Sequence, residues 1–177
     1  MGITGNSGAY HAFRKQLALS INDFRIVDAS GDVGNIAAAN GGTFASDSAP
    51  ILRGNAAETQ ELSWVASNST AISAQFSLPE DFDGKEDVLV EMWVNSGTTD
   101  LASFTVESGW DGGALVSDAA TDPAQSATTH KITARISAAD IPDSPSFMTL
   151  ALTPGAHTTN TVQLLNVRVL YLPKLTS

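Results

Sequence analysis

Cysteine is absent from the 177 residues, which excludes disulfides, thiolate nucleophiles and cysteine-based metal sites and leaves packing, with or without self-association, as the source of stability. Positive charge is scarce: nine Lys and Arg stand against nineteen Asp and Glu, for a formal charge of -10 and a pI near 4.4. A surface that neutralises a nucleic-acid backbone needs clustered basic residues, and here they are scattered, so no nucleic-acid partner is expected. No apolar run approaches the roughly 18 residues a membrane-crossing helix requires. Near the start, Arg14 and Lys15 precede only the short apolar run 17–21, with no small-residue cleavage site after it. Neither a membrane partner nor a secretory leader is expected, and the expected place of synthesis and residence is the cytoplasm or something assembled there.

Helical periodicity is also rare. From Asp23 onward apolar and polar residues alternate in steps of two, in short runs punctuated by Gly, Pro, Asn, Asp and Ser, which is the pattern of strands joined by turns. The clearest run is TAISAQFSLP. Ile72, Ala74, Phe76 and Leu78 share one face, Ser73, Gln75 and Ser77 the other, and Pro79 ends the run because it cannot donate to a ladder. Further strands are expected at 24–29, 61–66, 88–95, 101–107, 131–137, 147–153 and 162–172, with 114–117 and a strand around Ile51. Two stretches have helical character: AYHAFRKQLALS, where Phe13 and Leu17 fall four apart, and SAADIP, where Ser137 caps a turn that Pro142 stops. Residues 30–50 and 117–130 read as long loops of small residues. The length suits one domain, and no internal repeat divides it. The expected fold is all-β, an antiparallel two-sheet jelly-roll sandwich over residues 23–177 with a short N-terminal arm, 1–22. An immunoglobulin-like sandwich is the alternative, weakened by the strand count and the missing Cys, Trp, Cys pattern.

Two strands are apolar on both faces. In EDVLVEMWVN, Val88, Val90, Met92 and Val94 face one way, Leu89 and Trp93 the other; in VQLLNVRVLYLP, Leu165, Val167, Val169 and Tyr171 alternate with Leu164, Leu170 and Leu172. The outer face of a two-layer sandwich usually meets water, so outward apolar residues call for a cover. A neighbouring subunit against Leu89, Trp93, Leu170 and Leu172 is one expectation, the 30–50 loop lying across the sheet the other. The arm has three glycines in its first ten residues and few large apolar side chains, so it is expected to dock on another chain, as a strand or in a groove. Tyr10, Phe13 and Leu17 are the expected anchors, with Arg14 and Lys15 paired to acidic groups there. The competing possibility is a helix over AYHAFRKQLALS packed beneath its own sandwich.

No constellation for catalysis emerges. PEDFDGKED places Glu80, Asp81, Asp83, Glu86 and Asp87 around Gly84; a calcium loop needs more regularly spaced oxygens, so a solvated turn is the expectation. His11, His130 and His157 each lack a second ligand at a useful spacing, and no metal or cofactor site is expected. Neither GNSGA nor ESGWD supplies the strand, sharp turn and helix of a nucleophile elbow, and the carboxylates concentrate in turns rather than mid-strand, where paired glycosidase acids would be sought. Three tryptophans raise a sugar-stacking option, with Trp110 in SGWDGG the candidate; the competing reading makes Trp64 core, Trp93 an interface residue and Trp110 a loop plug.

A short arm, then INDFRIVDASGD, then STAISAQFSLPEDFDGKEDVLVEMWV, and a final long apolar strand TVQLLNVRVLYL resemble the small jelly-roll decoration, or cement, proteins on the heads of tailed bacteriophages. The resemblance implies a homotrimer on the outer surface of the virion, made in the host cytoplasm, that binds the major capsid protein and stabilises the head, with no catalytic residues. The alternative from a different class is a carbohydrate-binding or receptor-binding jelly roll of a phage tail, baseplate or fibre.

Overall fold

Residues 88–95 alternate so regularly that the strand's inner face is fixed: Val88, Val90, Met92 and Val94 are wholly buried. In the computed structural model, which describes residues 14–27, 30–38, 50–54, 59–122 and 127–174, this strand lies near one edge of the larger of two sheets. Thirteen strands occur among the described residues: β1 (Lys15–Leu19), β2 (Arg25–Val27), β3 (Val33–Gly34), β4 (Ala37–Ala38), β5 (Ile51–Gly54), β6 (Gln60–Trp64), β7 (Ala71–Ser77), β8 (Val88–Asn95), β9 (Ser103–Trp110), β10 (Val116–Thr121), β11 (His130–Ile136), β12 (Phe147–Pro154) and β13 (Val162–Tyr171). Sheet A runs β11-β8-β13-β6-β5-β4, with β1 also paired to β13; sheet B runs β10-β9-β12-β7-β2-β3. All pairings are antiparallel except β4 with β5. This is the expected antiparallel two-sheet jelly-roll sandwich.

The core fills the space between the sheets. Trp64 of sheet A meets Phe104 of sheet B edge to face, with ring centroids 5.8 Å apart, the arrangement their quadrupoles favour. At one end Phe82 lies 5.7 Å from Trp110 and 5.5 Å from Tyr171. Leu62, Ile72, Met92, Met148, Leu150, Leu152 and Leu164 complete a continuous cluster.

Four expectations need correction. Residues 15–19 are neither a free arm nor part of a helix: β13 pairs with β6 only through Val162–Leu164, and β1 takes up the rest of that edge from Lys15↔Tyr171 to Leu19↔Val167. Without it a row of backbone groups would lie unpaired. Leu17, Leu19 and Ile21 recur in steps of two, and Leu19 and Ile21 are buried, so the sandwich begins by Lys15 rather than at Asp23. Second, β13 carries a bulge between Leu164 and Asn166, and one extra residue flips the phase. Leu164 therefore faces the core beside Val167, Val169 and Tyr171, while Leu165 is only half-buried. Third, the loop expected over 30–50 contains β3 and β4. Fourth, the loop expected from 117 starts later, because β10 continues through Thr121. SAADIP forms the capped turn: Ser137 Oγ accepts from Ala139 N–H before a 3-10 turn over Ala138–Asp140.

Candidate ligand-binding face

The outward positions of sheet A bring together residues far apart in sequence. Cross-strand register sets Lys131 beside Trp93, Trp93 beside Asn166, Glu91 beside Arg168, and Asn95 beside Gln163. Ser63 follows beside Gln163, then Ile51 beside Ser63 and Arg53 beside Glu61. Period-two alternation sets this, since the alternate positions of β8, β11 and β13 are buried apolar residues; on β5 and β6 the outward Ile51 and Ser63 are themselves covered.

Two buried carboxylates organise the face. Glu91, 5% exposed, receives Arg168 Nε at 2.5 Å and, on its other oxygen, Lys131 Nζ. Burial alone would raise the Glu91 carboxyl; the hydrogen bonds and charges of Lys131 and Arg168 outweigh it and hold the group below the usual Glu range. Glu61, 2% exposed, accepts from Gln163 Nε2 at 2.6 Å and from Ser63 Oγ at 3.2 Å, with Arg53 Nε 3.1 Å away. Over this frame lies Trp93. The Arg168 guanidinium sits 4.8 Å from its ring centroid and also donates to Gln16 Oε1 at 3.1 Å, so the ring's position is fixed by a cation–π contact whose cation is itself held on two sides. Asn95 donates to Ala127 O at 2.8 Å. The result is a half-buried indole bordered by planar amide and guanidinium groups. Such a surface stacks on an apolar ring face and hydrogen-bonds its rim.

The sequence-predicted residues are distributed as follows. Trp93, Leu89 and Leu170 are half-buried on this outer face, with Leu89 directly opposite Leu170; Leu172, just beyond β13, is half-buried too. Arg14 and Lys15 bond acidic-turn residues of their own chain: Arg14 donates to Asp87 O at 2.5 Å, Lys15 to Asp81 Oδ2 at 2.5 Å. Leu17 packs against the core. Tyr10 and Phe13 lie outside the described residues. Trp110, the candidate for sugar stacking, does not present its ring to solvent. It is 6% exposed, enclosed by the aromatic cluster with Phe82, because it continues the inward set Phe104, Val106, Ser108 of β9.

The acidic turn is knit into the fold. Tyr171 Oη and Lys15 bond Asp81, while Asp87 accepts from Ala138 N–H at 3.0 Å and pairs with Arg135. Gly84 serves close packing, since a Cβ there would lie 2.8 Å from Pro142 O. Two of the histidines have partners and the third, His11, lies outside the described residues: His130 Nε2 lies 2.6 Å from Asp122 Oδ2, and buried His157 sets both ring nitrogens against backbone carbonyls, of Gly155 at 2.7 Å and Val65 at 3.0 Å. Among the described residues no group of three or more His, Cys, Asp or Glu is arranged to hold a metal ion, and no helix is long and apolar enough to cross a membrane.

Sequence reasoning placed Trp93 on the outer face, as a subunit-interface residue, but missed Glu91, Lys131, Arg168, Gln163 and Glu61 beside it. Alternation showed that they point outward; which strands adjoin was needed to see that they meet.

No family model and no curated protein matches the chain; the similarity is in the fold. The xylan-binding module CBM15 superposes with a TM-score of 0.57 at 13% identity, covering 92% of this chain and 99% of that one. The CBM22-1 and GH10 modules of the Clostridium thermocellum endo-1,4-β-D-xylanase 10B, complexed with xylohexaose, give 0.52 at 12% identity over 93% of this chain and 29% of that one. Xylanase 10C from Cellvibrio japonicus with xylopentaose gives 0.51 at 12% identity over 88% and 28%. The chain thus spans less than a third of either xylanase structure and almost the whole length of the xylan-binding module.

Proposed function

We propose that this chain is a non-catalytic carbohydrate-binding module that takes a glycan on the outer face of sheet A. The observation that carries the reading is Trp93. Of the three tryptophans, Trp64 and Trp110 are buried, and Trp93 stands half-exposed among Arg168, Lys131, Asn95 and Gln163. A pyranose presents C–H groups along one ring face and hydroxyls around its rim. The C–H face matches the electron-rich face of an indole, and the hydroxyls match donors and acceptors fixed in place. The xylan-binding module of the same fold supports this reading.

Calorimetric titration with xylohexaose and a panel of other soluble β-1,4-linked oligosaccharides tests it. Binding to at least one, lost in Trp93→Ala and kept in Trp110→Phe, is the expected result; no binding across the panel contradicts it.

A second reading has one observation in its favour. Leu89 and Leu170 make an apolar pair on the same face, as self-association of a capsid decoration protein would require. Sedimentation as a trimer at micromolar concentration, abolished by Leu89→Lys and without glycan binding, would decide for that reading.

A further inference from the structure

Resting on the carbohydrate-binding reading, we infer that the sugar taken at Trp93 carries a carboxylate: the ligand is a uronate-bearing glycan rather than a neutral one. The argument is one of charge and unused donors. Glu91 is a single carboxylate shared by two cations, Lys131 and Arg168, so one positive charge beside the indole has no counterpart in the cluster. The neighbouring pair Arg135 and Asp87 is balanced within itself.

The donors are also incompletely used. Lys131 spends one contact on Glu91 and is 44% exposed. Arg168 spends Nε on Glu91 and one terminal nitrogen on Gln16, leaving the other terminal nitrogen without a hydrogen bond among the described residues in a side chain 33% exposed. A planar guanidinium and an ammonium held side by side by Glu91, each with donors left over, match a carboxylate through charge-assisted hydrogen bonds. Both are anchored by Glu91, so little ordering remains to be done on binding. The chain as a whole is acidic, at -10, and repels polyanions at long range; at physiological salt that repulsion is screened beyond ~8 Å, while contact pairs are screened far less. A sugar carboxylate is therefore recognised only where it touches this cluster, and the predicted ligand is a glycan with spaced uronate groups.

The decisive probes are a xylo-oligosaccharide bearing one glucuronate branch and the same molecule with its carboxyl reduced to the alcohol. They have one shape and differ in one charge. Titrated at 150 mM NaCl, the acidic form should bind about tenfold tighter than the reduced form, and Lys131→Met should bring the ratio of the two affinities close to one while Lys131→Arg retains it. Equal affinity of the two forms for the unmodified chain overturns the carboxylate inference and leaves the carbohydrate-binding reading standing. A sulfated xylo-oligosaccharide that binds as tightly as the glucuronate form overturns the assignment to carboxylate. Binding of none of the three overturns the carboxylate inference, and no binding across the β-1,4-linked panel as well removes the carbohydrate-binding reading with it.

Discussion

The outward positions of sheet B read Arg25 and Val27 on β2, Val33 on β3, Ser73, Gln75 and Ser77 on β7, Ser103, Thr105 and Glu107 on β9, Ser117, Ala119 and Thr121 on β10, and Phe147, Thr149, Ala151 and Thr153 on β12. Those of sheet A read Leu89, Glu91 and Trp93 on β8, Lys131 and Arg135 on β11, and Gln163, Arg168 and Leu170 on β13. Both sheets obey the same inward rule and bury the same kinds of side chain. Outward, the four long strands of sheet B carry mostly small or hydroxyl side chains, with Gln75, Glu107 and Phe147 the larger ones, whereas sheet A carries an indole, four cations (Arg53, Lys131, Arg135 and Arg168) and two desolvated carboxylates. Glu91 and Glu61 cost free energy to bury unless paired, and each is paired by side chains from two other strands. A sandwich needs no such surface to be stable, which is why function is sought on this sheet.

The largest effects separate the inside of sheet A from its outside. Trp64→Ala removes a fully buried indole and should cost about 3–5 kcal/mol of unfolding free energy. Trp93→Ala, two strands away, should cost under about 1 kcal/mol while weakening glycan binding by about 2 kcal/mol or more. Denaturant unfolding beside calorimetry reads both. Thr105→Ala or Thr149→Ala on sheet B should change binding not at all and stability by less than about 0.5 kcal/mol; a binding loss there would erase the distinction between the faces.

Next in size is Glu91→Gln, which leaves Lys131 and Arg168 facing an amide and should cost about 1–3 kcal/mol at neutral pH. Because the Glu91 carboxyl is lowered in the folded chain, its contribution is complete above the unfolded Glu range and disappears as pH falls through the depressed folded value. The variant's stability should therefore fall less steeply than the parent's on acidification; parallel profiles would show that Glu91 is no anchor. The smallest effect has the opposite sign. Burial, then the Asp140 charge, raises the Asp118 carboxyl, with Arg135 opposing, and one of its oxygens is buried without a hydrogen bond among the described residues. A raised acid destabilises once ionised, so the parent loses stability as pH climbs from the ordinary Asp range through the raised folded value. Asp118→Asn should thus stabilise at pH 7 by under about 1 kcal/mol and make no difference below that window.

How far this contrast was legible from the chain alone varies by element. Strand β8 was readable to the residue, since Val88, Val90, Met92 and Val94 alternate with no interruption. Strand β1 was not. Its order comes from an open edge of β13 that exists only because the pairing of β13 with β6 stops at Leu164↔Leu62, and that is a tertiary fact. The bulge after Leu164 was equally hidden, because Leu164 and Leu165 are interchangeable in any pattern count and only packing decides which turns inward. Trp93 and Trp110 were both visible as tryptophans, yet local context favoured the one in a turn. What decides is parity along β9: Trp110 is in step with Phe104 and Val106, and this was available in the sequence once the strand was extended to its true end. The ion pairs of Glu91 span 40 and 77 residues, and a single sequence carries no record of such a meeting.

The most direct test uses the three indole N–H signals in a nitrogen-15 correlation spectrum. Two belong to buried rings, Trp64 and Trp110, and one to the outer face. Titration with the glucuronate-branched xylo-oligosaccharide should move the Trp93 signal in a saturable way and leave the other two in place. Movement of Trp110 with Trp93 still, or no movement of any of the three at millimolar ligand, would contradict a glycan site on the outer face of sheet A.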